Sequence, residues 1–220
     1  TLDPGALCAY CDRGLPITPT ETLTAMGEKL FSHSWPNPMP DNPNHRTLPL
    51  ITMCVEYCAR HEFERNLIPA ALAGNWPFNP QFSRLFHRIL SLGPTLRALC
   101  KNLDQSYFFK ASHRHYGNRV TQLSSLGHQY LDNRRSAHGS GYYGERGIQM
   151  CDATLRFMFP PTFDITPFHP LTYDIVIREV LVPEASIRLI QEDLNITLDA
   201  AIEVLQESHS FGCALHPSDK

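Results

Sequence analysis

Cys8-Ala9-Tyr10-Cys11 and Cys58-Ala59-Arg60-His61 are two short stretches that carry soft metal ligands at close spacing. A tetrahedral Zn²⁺ site takes four N or S ligands, usually delivered as two close pairs. The first pair has the two-residue gap of a zinc knuckle. Cys58 and His61 stand three apart, so on a helix they share one face. Together, Cys8, Cys11, Cys58 and His61 predict a bound Zn²⁺ that ties the start of the chain to its body. Four protein ligands close the coordination sphere, which points to a structural rather than a catalytic ion. Cys54, one helical turn from Cys58, competes for its place, and His87 is a substitute for His61. The plainer reading is that these cysteines are ordinary buried residues. A redox C-x-x-C would need a βαβ context, which this sequence lacks.

The chain has 220 residues, 42% hydrophobic and 19% charged, the balance of an ordinary folded protein. Its length suits a sizeable core without disulfide staples. Seven cysteines is an odd number with no secreted-framework spacing, so a reducing compartment is expected. No apolar run approaches membrane-span length, so no membrane partner is expected. The chain opens on Thr1 without a Met, as expected of a segment cut from a longer protein. Net charge is −3, unevenly spread: −3 over 1–83, +7 over 84–146 and −7 over 147–220. A basic middle beside an acidic end means either a ligand surface or internal pairing on folding.

Outside the ligand pairs, apolar periodicity predicts helices almost throughout. The first runs from Thr18–Glu21 to about Leu30. Residues 32–48 hold four prolines and read as a loop. Residues 50–67 read as the helix carrying Cys58 and His61, with Pro69 at its end or at a kink. Helices follow at 80–91, 94–103, 118–131 and 145–159, then at 171–181 and 184–194, split at Pro183, while residues 105–116 carry the aromatic run Tyr107, Phe108 and Phe109 and then Lys110, His113, Arg114 and His115. Thr197 caps the last helix and Gly212 suits its C-terminal end. Gly141, Gly144 and Gly147 predict a turn feeding the 145–159 helix. The expected fold is predominantly α: one domain over 1–220 of about eight or nine helices, with a zinc-binding part at 1–67 and a helical body at 80–220.

Several longer motifs resemble a known family. F-E-R-N-L-I-P-A-A-L-A-G-N-W-P follows directly on C-A-R-H; later come G-Y-Y-G-E-R-G, L-V-P-E-A-S-I-R-L-I-Q-E-D-L and Q-E-S-H-S-F-G. In this order they are similar to the C-terminal domain of the restriction of telomere capping protein 4 family, from Cys8 to about Leu215. The resemblance implies nuclear or chromatin association, with the cytoplasm as a second compartment, more than it implies a mechanism.

No H-E-x-x-H, G-x-S-x-G or phosphate loop is present, and no enzyme is expected. Eleven histidines show no partner constellation. Glu192 and Asp193 are adjacent, so on a helix they point apart and form no dyad. The leading expectation is a nucleic-acid or chromatin-binding module, DNA before RNA, using the basic middle. Its candidate contacts are Arg84, Arg88, Lys110, His113, Arg114, Arg119, Arg134, Arg135, Tyr142, Tyr143 and Arg146. Lys and Arg supply phosphate affinity and aromatics stack on exposed bases. A glycine turn at a helix N-terminus also suits an anion beside Arg146. The alternative is a protein-interaction module that uses the acidic C-terminal helices or the proline-rich loop. An enzyme ranks third.

Overall fold

A computed structural model describes residues 6–116 and 139–218. The predicted 118–131 helix, with Arg119, Arg134 and Arg135, lies outside the described residues. The chain divides into two compact units, 1–73 and 74–220. The boundary falls at the A-G-N-W-P-F-N-P turn, in the gap between the parts expected at 1–67 and 80–220. The fold is predominantly helical, with nine helical runs among the described residues.

The first unit opens on a tight turn bridged between Leu7 and Gly14. Helix α1 (Glu21–Ser32) starts where Thr20 Oγ1 accepts the Leu23 N–H, as an N-cap should. Thr20 in turn donates its N–H and hydroxyl to the buried Glu64 carboxylate, at 3.0 and 2.5 Å. Glu64 therefore staples the start of α1 to the next helix. The proline-rich segment forms a two-stranded antiparallel ribbon, β1 (Trp35–Pro36) and β2 (Arg46–Thr47), where the sequence suggests only loop. Arg46 holds it to α1, its guanidinium 3.8 Å from the Phe31 ring centroid.

Helix α2 begins after a 3₁₀ turn at Ile51–Cys54 and runs through Val55–Glu62, a π segment at Phe63–Leu67 and a last stretch at Ile68–Ala73. Pro69 neither ends nor breaks it. Proline disrupts an α-helix because it lacks an N–H and its ring strikes the carbonyl four residues back. The wide π turn immediately before Pro69 relaxes both demands. Pro183 follows the same rule, so two predicted helices become one.

In the second unit α3 is Phe82–Ser91, α4 is Gly93–Lys101 and α5 is Tyr107–Tyr116. Helix α6 is Gly144–Met158. Helix α7 joins Tyr173–Ile175, a π segment at Val176–Leu181 and Val182–Leu194. Helices α8 (Leu198–Glu207) and α9 (His209–Leu215) complete it. The core is built on α7, whose Ile177, Val180, Leu181, Ala185, Leu189 and Ile190 are fully buried. A helix apolar around most of its circumference belongs in the interior, and α3, α5, α6 and α8 pack around it.

Gly144 has φ +63° and begins α6, as the predicted turn requires. Gly212 does not end a helix; it sits inside α9. A Cβ there would lie 2.2 Å from the Gly141 carbonyl oxygen, so α9 rests directly on the Gly-Tyr-Tyr-Gly backbone. Close approach, not helix termination, demands this glycine. Gly212→Ala is therefore expected to lower stability by about 1–3 kcal/mol, although alanine is the better helix former. Chemical denaturation checks this, and Gly144→Val should be destabilised in the same assay by backbone strain.

Candidate metal centre

The first ligand pair sits in a hairpin-like turn. Cys8 N–H donates to Arg13 O at 2.7 Å, Leu15 N–H to Ala6 O at 2.7 Å, and Asp12 takes a left-handed φ of 59°. The Tyr10 N–H points at Cys8 Sγ at 3.4 Å, a donor that favours the thiolate. Asn42, 1% exposed, donates to Cys8 O at 2.9 Å and Asp12 Oδ1 at 2.7 Å. Arg46 N–H donates to Ala9 O at 2.8 Å. The proline-rich segment thus braces the turn from outside. Nothing in the sequence marks Asn42 for this task; it reads as one more polar loop residue.

Cys58 and His61 come from one face of α2, as their spacing predicts. All four ligand atoms of Cys8, Cys11, Cys58 and His61 lie within 4.8 Å of one another. A tetrahedral ion with bonds of about 2.0–2.3 Å sets its ligands roughly 3.3–3.8 Å apart, so the four fit one ion with small adjustment. Cys8 and His61 are fully buried. His61 Nε2 lies 3.2 Å from Cys11 Sγ, while its Nδ1 is buried with no hydrogen-bond partner among the described residues. Tyr57 packs edge-on against both Tyr10 and His61, at 5.9 and 5.7 Å between ring centroids. Cys54 does not compete: its thiol donates to Ile51 O at 3.0 Å, away from the cluster. His87 lies in the other unit.

The electrostatics ask for a cation. The Cys58 thiol donates to Cys8 and, against burial, holds it at about 4, while Cys58 is pushed up for the same reason. Burial raises Cys11, and burial followed by the Cys8 charge pushes Tyr57 up to about 12. Protons alone leave the negative charge on one sulfur. A divalent cation replaces the other protons and balances the set. These four residues could hold a metal ion.

The residues expected to touch nucleic acid divide sharply. Lys110, His113 and Arg114 are exposed on one face of α5, beside Tyr107 at 44% exposure, while Phe108, Ser112 and Tyr116 face inward. Arg84 is exposed on α3. Arg88 is occupied: its guanidinium pairs with Glu192 at 2.9 Å and Asp193 at 2.8 Å and donates to the Tyr143 hydroxyl at 3.1 Å. Glu192 and Asp193, which the sequence sets apart, are bridged by this one arginine.

Tyr142 and Tyr143 are not stacking platforms. They are 0% and 1% exposed, and their hydroxyls donate to Asp193 Oδ2 at 2.7 and 2.5 Å. Aromatics in a glycine turn suggest a surface loop, but α9 covers this turn. Burial, then the Asp193 charge, raises the Tyr143 hydroxyl. Arg146 is exposed and lies over the Phe82 ring, 4.7 Å from its centroid.

Searches of curated proteins and of solved structures each return no match. A family model, the RTC4-like domain, matches residues 101–217. That span holds the Gly-Tyr-Tyr-Gly turn, α7 and α9, and leaves the metal cluster outside it. It covers more than half of the chain, so this chain belongs to the RTC4-like domain family.

Proposed function

We propose that this chain is a chromatin-associated binding module of the nucleus, with no catalytic activity, that contacts nucleic acid through the exposed face of α5. The observation that carries this reading is the row Tyr107, Lys110 and Arg114, at helical spacings of three and four on the side of α5 turned from the core. Lys110 and Arg114 make no ion pair among the described residues. Their rise of about 6 Å along the helix is close to the step between neighbouring phosphates of a strand. His113 extends the face. The family membership supports the chromatin setting through the telomere-capping name attached to it. No helix among the described residues is long and apolar enough to cross a membrane.

The ion we propose for the cluster is Zn²⁺. Three thiolates and one imidazole form a common closed structural set for zinc, and no position is left for substrate. Its work would be to hold the first unit together.

A second reading, a protein-interaction module, is favoured by a different observation. Leu50, Ile51, Met53 and Val55 are exposed at the start of α2, Ile51 at 80%. Of these, Met53 also lines a 280 Å³ cleft with Met26, Leu30 and Tyr57 within the first unit.

The purified protein is expected to contain about one equivalent of zinc, because four ligands complete one tetrahedral site. Cys11→Ser and Cys58→Ser should lose the metal and lower the unfolding midpoint. Metal analysis and thermal unfolding with and without a chelator check this; a folded, metal-free protein indifferent to chelator would sink it. Single-stranded and duplex DNA and RNA, titrated over a salt series, test the binding face. Affinity should fall with a log–log slope of roughly 0.9 per phosphate neutralised on duplex DNA. Lys110→Glu with Arg114→Glu should lower both affinity and slope in a folded protein. Absence of salt-dependent binding in the wild type would transfer the function to the protein-interaction reading.

A further inference from the structure

A polar groove of 540 Å³ opens at the C-terminal end of α7, within the second unit and apart from the metal cluster. Glu192 and Asp193 form part of its wall, Arg84 and Arg88 another part. The charge at this helix end runs against the usual preference. A helix C-terminus carries roughly half a negative charge and favours a basic last turn. Helix α7 has no basic residue there and places two carboxylates instead. Asn195, in the left-handed conformation at φ 51° and ψ 49°, closes the helix directly after them.

Arg88 only partly offsets this excess, and most of its donors are spent. They go to Glu192 Oε2, to the Tyr143 hydroxyl and to Leu189 O, with Asp193 at ion-pair distance. On Asp193, Oδ2 accepts both tyrosine hydroxyls and Oδ1 lies 2.8 Å from the Arg88 guanidinium as an ion pair. Those contacts hold the carboxylate in place. Glu192 uses Oε2 alone toward Arg88; its Oε1 has no hydrogen-bond partner among the described residues, and its side chain is 64% exposed. Arg84 lines the same groove without pairing to either carboxylate. An entering anion would meet two carboxylates and the negative end of a helix, with Arg84 as its one unspent cation. An entering cation would meet unspent carboxylate lone pairs on a prepositioned frame.

We propose that this groove binds a lysine or arginine side chain of a polypeptide partner, with Glu192 and Asp193 as its ion-pair acceptors. Pro77 and Leu194 in the lining offer apolar surface to the methylene stem of such a side chain. The carboxamides of Asn75, Asn79 and Gln81 each carry a donor and an acceptor suited to a peptide backbone. A free polyamine shares the cationic chemistry but has no backbone amides to use them. Tyr142 and Tyr143 act as positioning residues that hold Asp193. Two of the segments that resemble the family, G-Y-Y-G-E-R-G and the Q-E-D-L helix end, are joined at this wall by the tyrosine–Asp193 bonds.

The test is calorimetric titration of the full chain with a short lysine–alanine peptide, its arginine counterpart, a glutamate–alanine peptide of equal length, and spermidine. Both basic peptides should bind, more tightly than spermidine, and the acidic peptide should not. Glu192→Gln, on an exposed side chain, should weaken the basic peptides about three- to fivefold without moving the unfolding midpoint. Lys110→Glu with Arg114→Glu should leave this binding unchanged, which separates the groove from the α5 face. Basic peptides that bind no better than the acidic one would overturn the proposal, as would Glu192→Gln binding like the wild type. Spermidine matching the peptides would overturn the polypeptide source.

Discussion

Three thiols and an imidazole confined within 4.8 Å cannot all shed their protons without a counter-charge. That constraint governs the first unit. Among its described residues, only Cys8, Leu23, Leu30, Cys54, Phe63 and Ala71 are buried apolar side chains. An apolar core this small is marginal, and small units commonly draw on a metal or a cross-link. The hydrogen bonds around the cluster all brace the same point. Asn42 and Arg46 hold the Cys8–Cys11 turn from the ribbon side, and Glu64 fixes α1 to the helix that supplies Cys58 and His61. A cation at the centre would convert these local braces into one continuous support.

The second unit solves a different problem with different means. Its core is apolar and is organised by the buried helix α7. Its polar order comes from Asp193, which gathers two tyrosine hydroxyls and an arginine from two separate segments. The tyrosines reach it because the Gly141–Gly144 turn is pressed between α9 and the core. Backbone contact at that depth is possible only where side chains are missing, which is why Gly212 faces Gly141. The basic middle and the acidic end of the sequence therefore meet in part as an internal pair, Arg88 with Glu192 and Asp193. The α5 face keeps its charge for the outside.

The helical class and the metal cluster were legible in the sequence because both rest on short spacings. Cys58 and His61 needed only the i, i+3 geometry of a helix, and the Gly144 turn needed only the steric rule for positive φ. Features that depend on contacts across the chain were not legible. Burial of Tyr142 and Tyr143 depends on α9 lying over their turn, and no local pattern marks that. Gly212 reads the same in sequence whether it ends a helix or admits another backbone. Asn42 became important through a ribbon whose strands are only two residues long. The Arg88 bridge joins residues 104 apart in sequence, beyond any periodicity argument.

Both prolines that fail to break helices sit directly behind π segments, Phe63–Leu67 before Pro69 and Val176–Leu181 before Pro183. A π segment is one residue too long for the regular spiral, so it shifts the angular phase of everything after it. In α2 the ligand face at Cys58 and His61 and the buried Ala71 lie on opposite sides of that phase shift. Removing one residue between them would restore a regular spiral and swing the downstream face by about 100°. Ala71 would leave the core while proline met an unrelieved carbonyl. Chain length in these two short windows is thus constrained more tightly than residue identity, and substitutions there should be accepted more readily than single-residue insertions or deletions.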